Sequence, residues 1–142
     1  MTIHTDIAGD FADFVSRARF EDIPEDAVEA AKKSILDTLG VALAASGVEP
    51  AVRGLAKVAM ESGGTAESTI LGFGGRVPAM MAAFANGAMA HCLDFDDHAP
   101  EGHHPSSSIV PAAFALAERV GGIPGREMIT AVAAGQDLFR KR

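Results

Sequence analysis

The sequence predicts an all-α domain of about six helices. Apolar residues recur at helical spacing almost from end to end, Gly and Pro cluster between these stretches, and no internal repeat, low-complexity tract or linker divides the chain. With 142 residues, a single domain spanning 1–142 is expected, able to bury roughly two thirds of its unfolded surface. Hydrophobic residues make up 48%, yet Trp and Tyr are absent and Phe numbers 8. The core must therefore be assembled from Ala, Val, Leu, Ile, Met and Phe, a set rich in small residues that favour close helix approach.

The first helix is read from Ile7, Phe11, Phe14, Val15 and Ala18, which share one face, with Asp10, Asp13, Ser16 and Arg17 on the other. Pro24 opens the second, followed by Glu25 and Asp26 in the first turn, where acidic groups complement the helix dipole. Its expected buried face is Val28, Ala31, Ile35, Leu39, Ala42 and Leu43, with a stop at Gly47. A third helix is expected from Pro50 to Glu61, ending at Gly63-Gly64. Ser68 to Leu71 reads as a short extended piece and Gly72 to Gly75 as a turn. This glycine-rich turn is not a phosphate loop. It lacks the Gly-Lys-Ser/Thr end of a P-loop, and the third Gly and βαβ setting of a dinucleotide fingerprint. Arg76 beside it is either a solvated charge or a partner for carboxylates of the acidic loop. Pro78 opens a fourth helix through Met81, Phe84, Ala85 and Met89, which delivers His91 near its end and the acidic segment just beyond. Ser106 to Ser108 offer N-caps for a fifth helix, Ile109 to Val120, ended by Gly121-Gly122. Pro124 starts a sixth, with Met128, Ile129, Val132 and Leu138 inward.

A net charge of -7 and a pI near 5.1 argue against nucleic acid, whose phosphates demand a basic surface, and against an anionic membrane surface. No membrane span is expected either, because the longest uncharged run, Val77 to Leu93, falls short of the about 20 residues required and contains Asn86 and His91. Asp6, Asp10 and Asp13 interrupt the region where a secretory signal would carry its apolar stretch. The lone Cys92 cannot form an internal disulfide, so a soluble, cytoplasmic setting is the natural expectation. Next to Leu93, Cys92 reads as a small buried hydrophobe rather than a nucleophile.

Chemistry concentrates between the fourth and fifth helices. Asn86 to Ser108 gathers four of the five histidines and three aspartates, punctuated by Gly and Pro. A packed core has little use for Asp94, Asp96, Asp97, His98, His103 and His104 side by side, because an unpaired buried charge costs several kcal/mol. The segment is either a solvated loop or the lining of a site. His91 follows an apolar helix and reads as a hydrogen-bonded structural histidine. Asp96 and Asp97 read as helix-capping or loop-bracing carboxylates, and nothing singles out His103.

The same segment resembles a known signature. Asn86, Gly87, His91, Leu93, Asp94, Phe95, Asp96 and Asp97, followed by His104, Pro105 and Ser106 and then an Ala-rich helix, are similar to the MmgE/PrpD family, which includes 2-methylcitrate dehydratases, cis-aconitate decarboxylases and iminodisuccinate epimerases. The likeness continues upstream at Asp37 to Ser46 and Ile70 to Pro78, and downstream at Pro111 to Gly135. Family members are typically several times longer, so the resemblance implies the N-terminal part of their helical domain, cut within a helix before the basic Phe139-Arg140-Lys141-Arg142. Gly135-Gln136-Asp137 stands where the family usually has a Gly-Tyr-Glu-like sequence.

The resemblance implies cofactor-free lyase or isomerase chemistry on a small di- or tricarboxylate, begun by removal of a proton next to a carboxylate. Such a step needs a general base or acid, and cations to hold carboxylates and developing charge. It places Asp94 and His104 at positions lining the family's site, Asp94 to orient a histidine or accept a substrate hydroxyl, His104 to shuttle a proton or donate a hydrogen bond. His98 stands where the family often has Thr, a larger and chargeable group that bears on substrate choice. The family's later histidine and carboxylate-binding lysines have no counterpart here, which implies an incomplete site, and members that look dimeric.

Two other classes remain. Asp94, Asp96 and Asp97 with Glu101 are superficially similar to the aspartate-rich motif of prenyl diphosphate synthases, in which carboxylates hold Mg2+. Pro100, Gly102 and Pro105 break the helix that motif requires, and no second carboxylate cluster completes it. A zinc or iron site of His and Asp is equally drawable, but no metal or other cofactor is expected. The alternative is a non-catalytic remnant, or a subunit of a split enzyme, that self-associates or meets a complementing C-terminal polypeptide through its apolar helical surface.

Overall fold

A computed structural model describes residues 6–99 and 102–140, excepting the Arg140 side chain. Pro100, Glu101, Lys141 and Arg142, invoked above as helix breaker, metal-motif carboxylate and basic end, lie outside the described residues. The elements are α1 (Ile7–Arg17), a 3-10 turn (Phe20–Asp22), α2 (Glu25–Val48), α3 (Pro50–Glu61), β1 (Ser68–Thr69), β2 (Arg76–Val77), α4 (Ala79–His91), α5 (Ser106–Arg119) and α6 (Gly125–Arg140). The fold is all-α, relieved only by the antiparallel β1–β2 pair, in which Ser68 faces Val77 and Thr69 faces Arg76.

Packing is organised around α4, which touches α2, α3, α5 and both strands. Its sequence explains the placement: Ala, Met and Phe surround it with no clear polar face, the pattern of a core helix. At the other extreme α1 is amphipathic, buries no residue fully and packs on α6.

The core is built of smaller side chains than the composition suggests. One cluster joins Ala42, Ala45, Val52, Ala56, Ile70, Val77, Ala82, Ala85 and Met89, and a second joins Ala31, Val110, Ala117, Met128 and Val132. Among the described residues no Phe or Leu is fully buried. Leu43, expected on the buried face of α2, is exposed, and so is Phe84 on α4, because α2 and α4 turn their Ala-lined faces to their neighbours and Ala permits the closer approach. The role of Gly87 follows from the same closeness: a Cβ there would lie 3.1 Å from the Ser107 carbonyl oxygen on α5. Pro111, inside α5, has no N–H to bond that carbonyl four residues back, so it is left facing α4.

Helix ends are fixed by groups from other elements as well as by local caps. Glu49 accepts a bond from the Ala51 N–H at the start of α3, and Glu67 accepts from the Ala79 N–H at the start of α4. Arg76 does not reach the acidic loop; it donates to the Glu67 carbonyl. The buried Asn86 is a clamp, accepting from the Leu71 N–H at 2.9 Å and donating to the Thr69 carbonyl at 2.9 Å. Among the described residues no single helix is long and apolar enough to cross a membrane.

Candidate active site

The site grows from the C-terminus of α4. His91 closes that helix, Cys92 caps it, and Asp94 adopts a left-handed conformation (φ 56°), which Asp tolerates better than most residues. This reversal carries the chain back across the helix end and sets Asp96 beside His91. The Nδ1 of His91 lies 3.0 Å from Oδ2 and 3.2 Å from Oδ1 of Asp96. The Asp96 side chain has no exposed surface, whereas 54% of the His91 side chain is exposed.

The loop then returns through an isolated bridge in which the Ala99 N–H donates to the His103 carbonyl at 2.8 Å. That closure delivers His104 onto the same carboxylate from the α5 side: its Nδ1 lies 3.4 Å from Asp96 Oδ1, and its Nε2 lies 3.9 Å from Asp94 Oδ1. Three imidazoles meet here. The His91 and His104 ring centres are 4.9 Å apart and those of His98 and His104 are 5.4 Å apart, both pairs edge to face.

Asp97 has a separate task. It accepts from the Ser106 N–H at 3.1 Å and from the Ser106 hydroxyl at 2.7 Å, and so caps α5. The expectation that Ser106 to Ser108 cap this helix is corrected accordingly: α5 starts at Ser106, without a bond from a capping side chain at its N-cap, and the carboxylate comes from the loop. Gln136 Nε2 donates to the Ser106 and Ser34 hydroxyls at 2.8 and 2.9 Å, tying α6 and α2 into the same anchor.

Of the residues singled out in the sequence, Asp94, His98 and His104 are brought together. His103 turns away, its ring edge-on to Phe139 of α6. His91 is hydrogen-bonded, as expected, but its partner is the Asp96 carboxylate of the cluster and the side chain is exposed. Cys92 is exposed rather than buried; partial desolvation, then the charge of Glu49, push its thiol pKa up. His91, Asp96 and His104 also present ligand atoms within 4.8 Å of one another, a set a metal ion can use. That set differs from the Asp94, Asp96, Asp97 grouping considered from sequence, since Asp97 is committed to α5. A cleft of about 940 Å³ between α1, α2 and α6 contains none of the five cluster residues, while the His91 and Asp94 side chains of the cluster are 54% and 83% exposed.

An all-α domain that presents a histidine-aspartate cluster between two core helices is the class defined by fold and site. Residues 9–139 match the MmgE/PrpD N-terminal domain, and the chain belongs to that family. It is similar to cis-aconitate decarboxylase of Mus musculus, 30% identical over 132 residues that make up 90% of this chain and 27% of the relative. The enzyme of the same name from Homo sapiens is 29% identical over 136 residues, 93% of this chain and 28% of the relative. That of Aspergillus terreus is 28% identical over 134 residues, with 91% and 27% covered. The chain thus spans little more than a quarter of the relatives it matches.

Proposed function

We propose that this domain supplies part of the active site of a cofactor-independent lyase or isomerase that removes a proton next to a carboxylate of a small di- or tricarboxylate, cis-aconitate being the first candidate. The observation that carries this reading is the approach of His104 Nε2 to Asp94, 3.9 Å apart on an open face, in a domain whose family includes such enzymes. An imidazole beside an exposed carboxylate has the parts for proton transfer near neutral pH. His98 adds a second chargeable ring at the edge of the same face. What the cluster lacks is a fixed positive group: among the described residues, the ion pairs reaching Asp94 and Asp96 come from histidines. Cations that hold the substrate's carboxylates therefore have to come from the remainder of the family's length. The test is a chimera in which residues 9–139 replace the matching segment of the mouse cis-aconitate decarboxylase, assayed with cis-aconitate, 2-methylcitrate, citrate and iminodisuccinate. Turnover of at least one is expected; a folded chimera inert on all four would reject the assignment.

A second reading, a domain that is silent until joined to a complementing polypeptide, is favoured by the same open face and is compatible with the first.

A further inference from the structure

We infer that Asp96 is the positioning residue of this site, holding the proton of His104 on Nδ1 so that Nε2 is the nitrogen that exchanges a proton with substrate. The inference rests on the proposed function only for what Nε2 does; the proton's location is a property of the chain itself.

Asp96 is the fully covered carboxylate of the cluster, its side chain at 0% exposure. An ionised carboxylate only accepts hydrogen bonds, and burying one without donors is costly. The groups that face it are the Nδ1 atoms of His91 and His104, at 3.0 and 3.4 Å, each an N–H donor in one tautomer alone. Both rings are thereby selected as Nδ1–H. The Nδ1 of His104 is itself buried and has no aligned hydrogen-bond partner among the described residues, so a small closing movement toward Asp96, which His91 already contacts, satisfies it. Such contacts commonly tighten when substrate binds. Because Nδ1 is covered, the 24% of the His104 side chain that stays exposed lies elsewhere on the ring.

Fixing the tautomer sets the direction of the chemistry. In proton removal the substrate C–H bond breaks, its electron pair stays on the substrate, and an N–H bond forms at Nε2. The resulting imidazolium keeps its Nδ1–H toward Asp96, whose charge offsets the new one, and Nε2 later returns the proton. Asp94, 3.9 Å from Nε2, stands on the reacting side, whereas Asp96 acts only through the ring.

The test is long-range 1H–15N correlation of the imidazoles in the 142-residue chain, with Asp96→Asn as the variant and circular dichroism to verify folding. Expected is that the neutral form of His104 carries its proton on Nδ1, with a share of that tautomer at least twofold lower in Asp96→Asn. A wild-type His104 protonated on Nε2 overturns the inference, as does an unchanged tautomer in a folded Asp96→Asn. If the variant fails to fold, the wild-type tautomer decides the question alone. One equivalent of zinc should leave both rings unaltered; stoichiometric zinc binding with loss of both Nδ1–H signals would make His91, Asp96 and His104 a metal-ligand set instead.

Discussion

At the scale of single residues, Asp94 and His104 divide their labour by exposure. The Asp94 side chain is 83% exposed and unneeded for packing, while His104 is mostly covered and fixed by the loop. In the chimera, Asp94→Asn or His104→Ala should therefore lower turnover by a factor of about 100 or more, the usual scale for a general acid or base. Asp94→Asn should leave the melting temperature unchanged. Wild-type turnover in a folded variant would remove that residue from the mechanism. Cys92 offers an electrostatic check on the same corner. Its thiol pKa is raised by desolvation first and by Glu49 second, so at neutral pH it holds less thiolate than an ordinary cysteine and should react slowly with iodoacetamide despite its exposure. Glu49→Gln removes the second cause, lowers the pKa and should speed alkylation; an unaltered rate would mean that Glu49 does not act on the thiol.

At the scale of elements, the α4–α5 crossing and the Asp97 cap position the loop. Asp97→Ala leaves the first N–H of α5 and the Ser106 hydroxyl without their carboxylate, and should cost about 1 kcal/mol in urea denaturation, near the value of other helix caps. In Gly87→Ala two effects compete. Helix propensity gains up to about 1 kcal/mol, but a methyl 3.1 Å from a backbone carbonyl incurs overpacking of about 1–3 kcal/mol, so net destabilisation is expected. Gly54→Ala on α3, where a Cβ meets nothing within 4 Å, should stabilise by up to about 1 kcal/mol. A reversed order of the two glycine variants would contradict the described crossing.

These elements show what is legible in a sequence of this kind. Pro24, Pro50 and Pro78 mark helix starts and Gly121-Gly122 a helix end because their backbone restrictions are local, and the helix boundaries follow them closely. Which apolar face turns inward is not local. In α2 and α4 Ala alternates with Leu, Met and Phe, so periodicity alone could not show that Leu43 and Phe84 point out while Ala42 and Ala85 pack. The site was half visible for the same reason. Loop composition marked the whole segment and the family resemblance singled out Asp94, His98 and His104, but the pairing of His91 with Asp96 depends on the left-handed turn at Asp94, which no spacing rule predicts.

At the scale of the whole molecule, the described surface carries several strongly exposed large apolar side chains. Leu36, Met80, Phe95 and Val120 are 74%, 81%, 74% and 68% exposed, and where such side chains adjoin they form apolar surface that a partner or another part of a protein covers. The isolated chain should therefore self-associate with rising concentration in light scattering, and Leu36→Glu with Met80→Glu should shift it toward monomer. A monodisperse monomer at all concentrations would show that this surface needs no cover.

The most direct measurement of the central claim, that this domain holds one part of a carboxylate lyase or isomerase site, compares cis-aconitate turnover by the 142-residue chain alone with turnover by the chimera and by its His104→Ala variant. The predicted result is a silent chain, an active chimera, and a loss of about 100-fold or more when His104 is removed. Robust turnover by a confirmed monomer of the chain alone, or a folded His104→Ala chimera as fast as its parent, would contradict it.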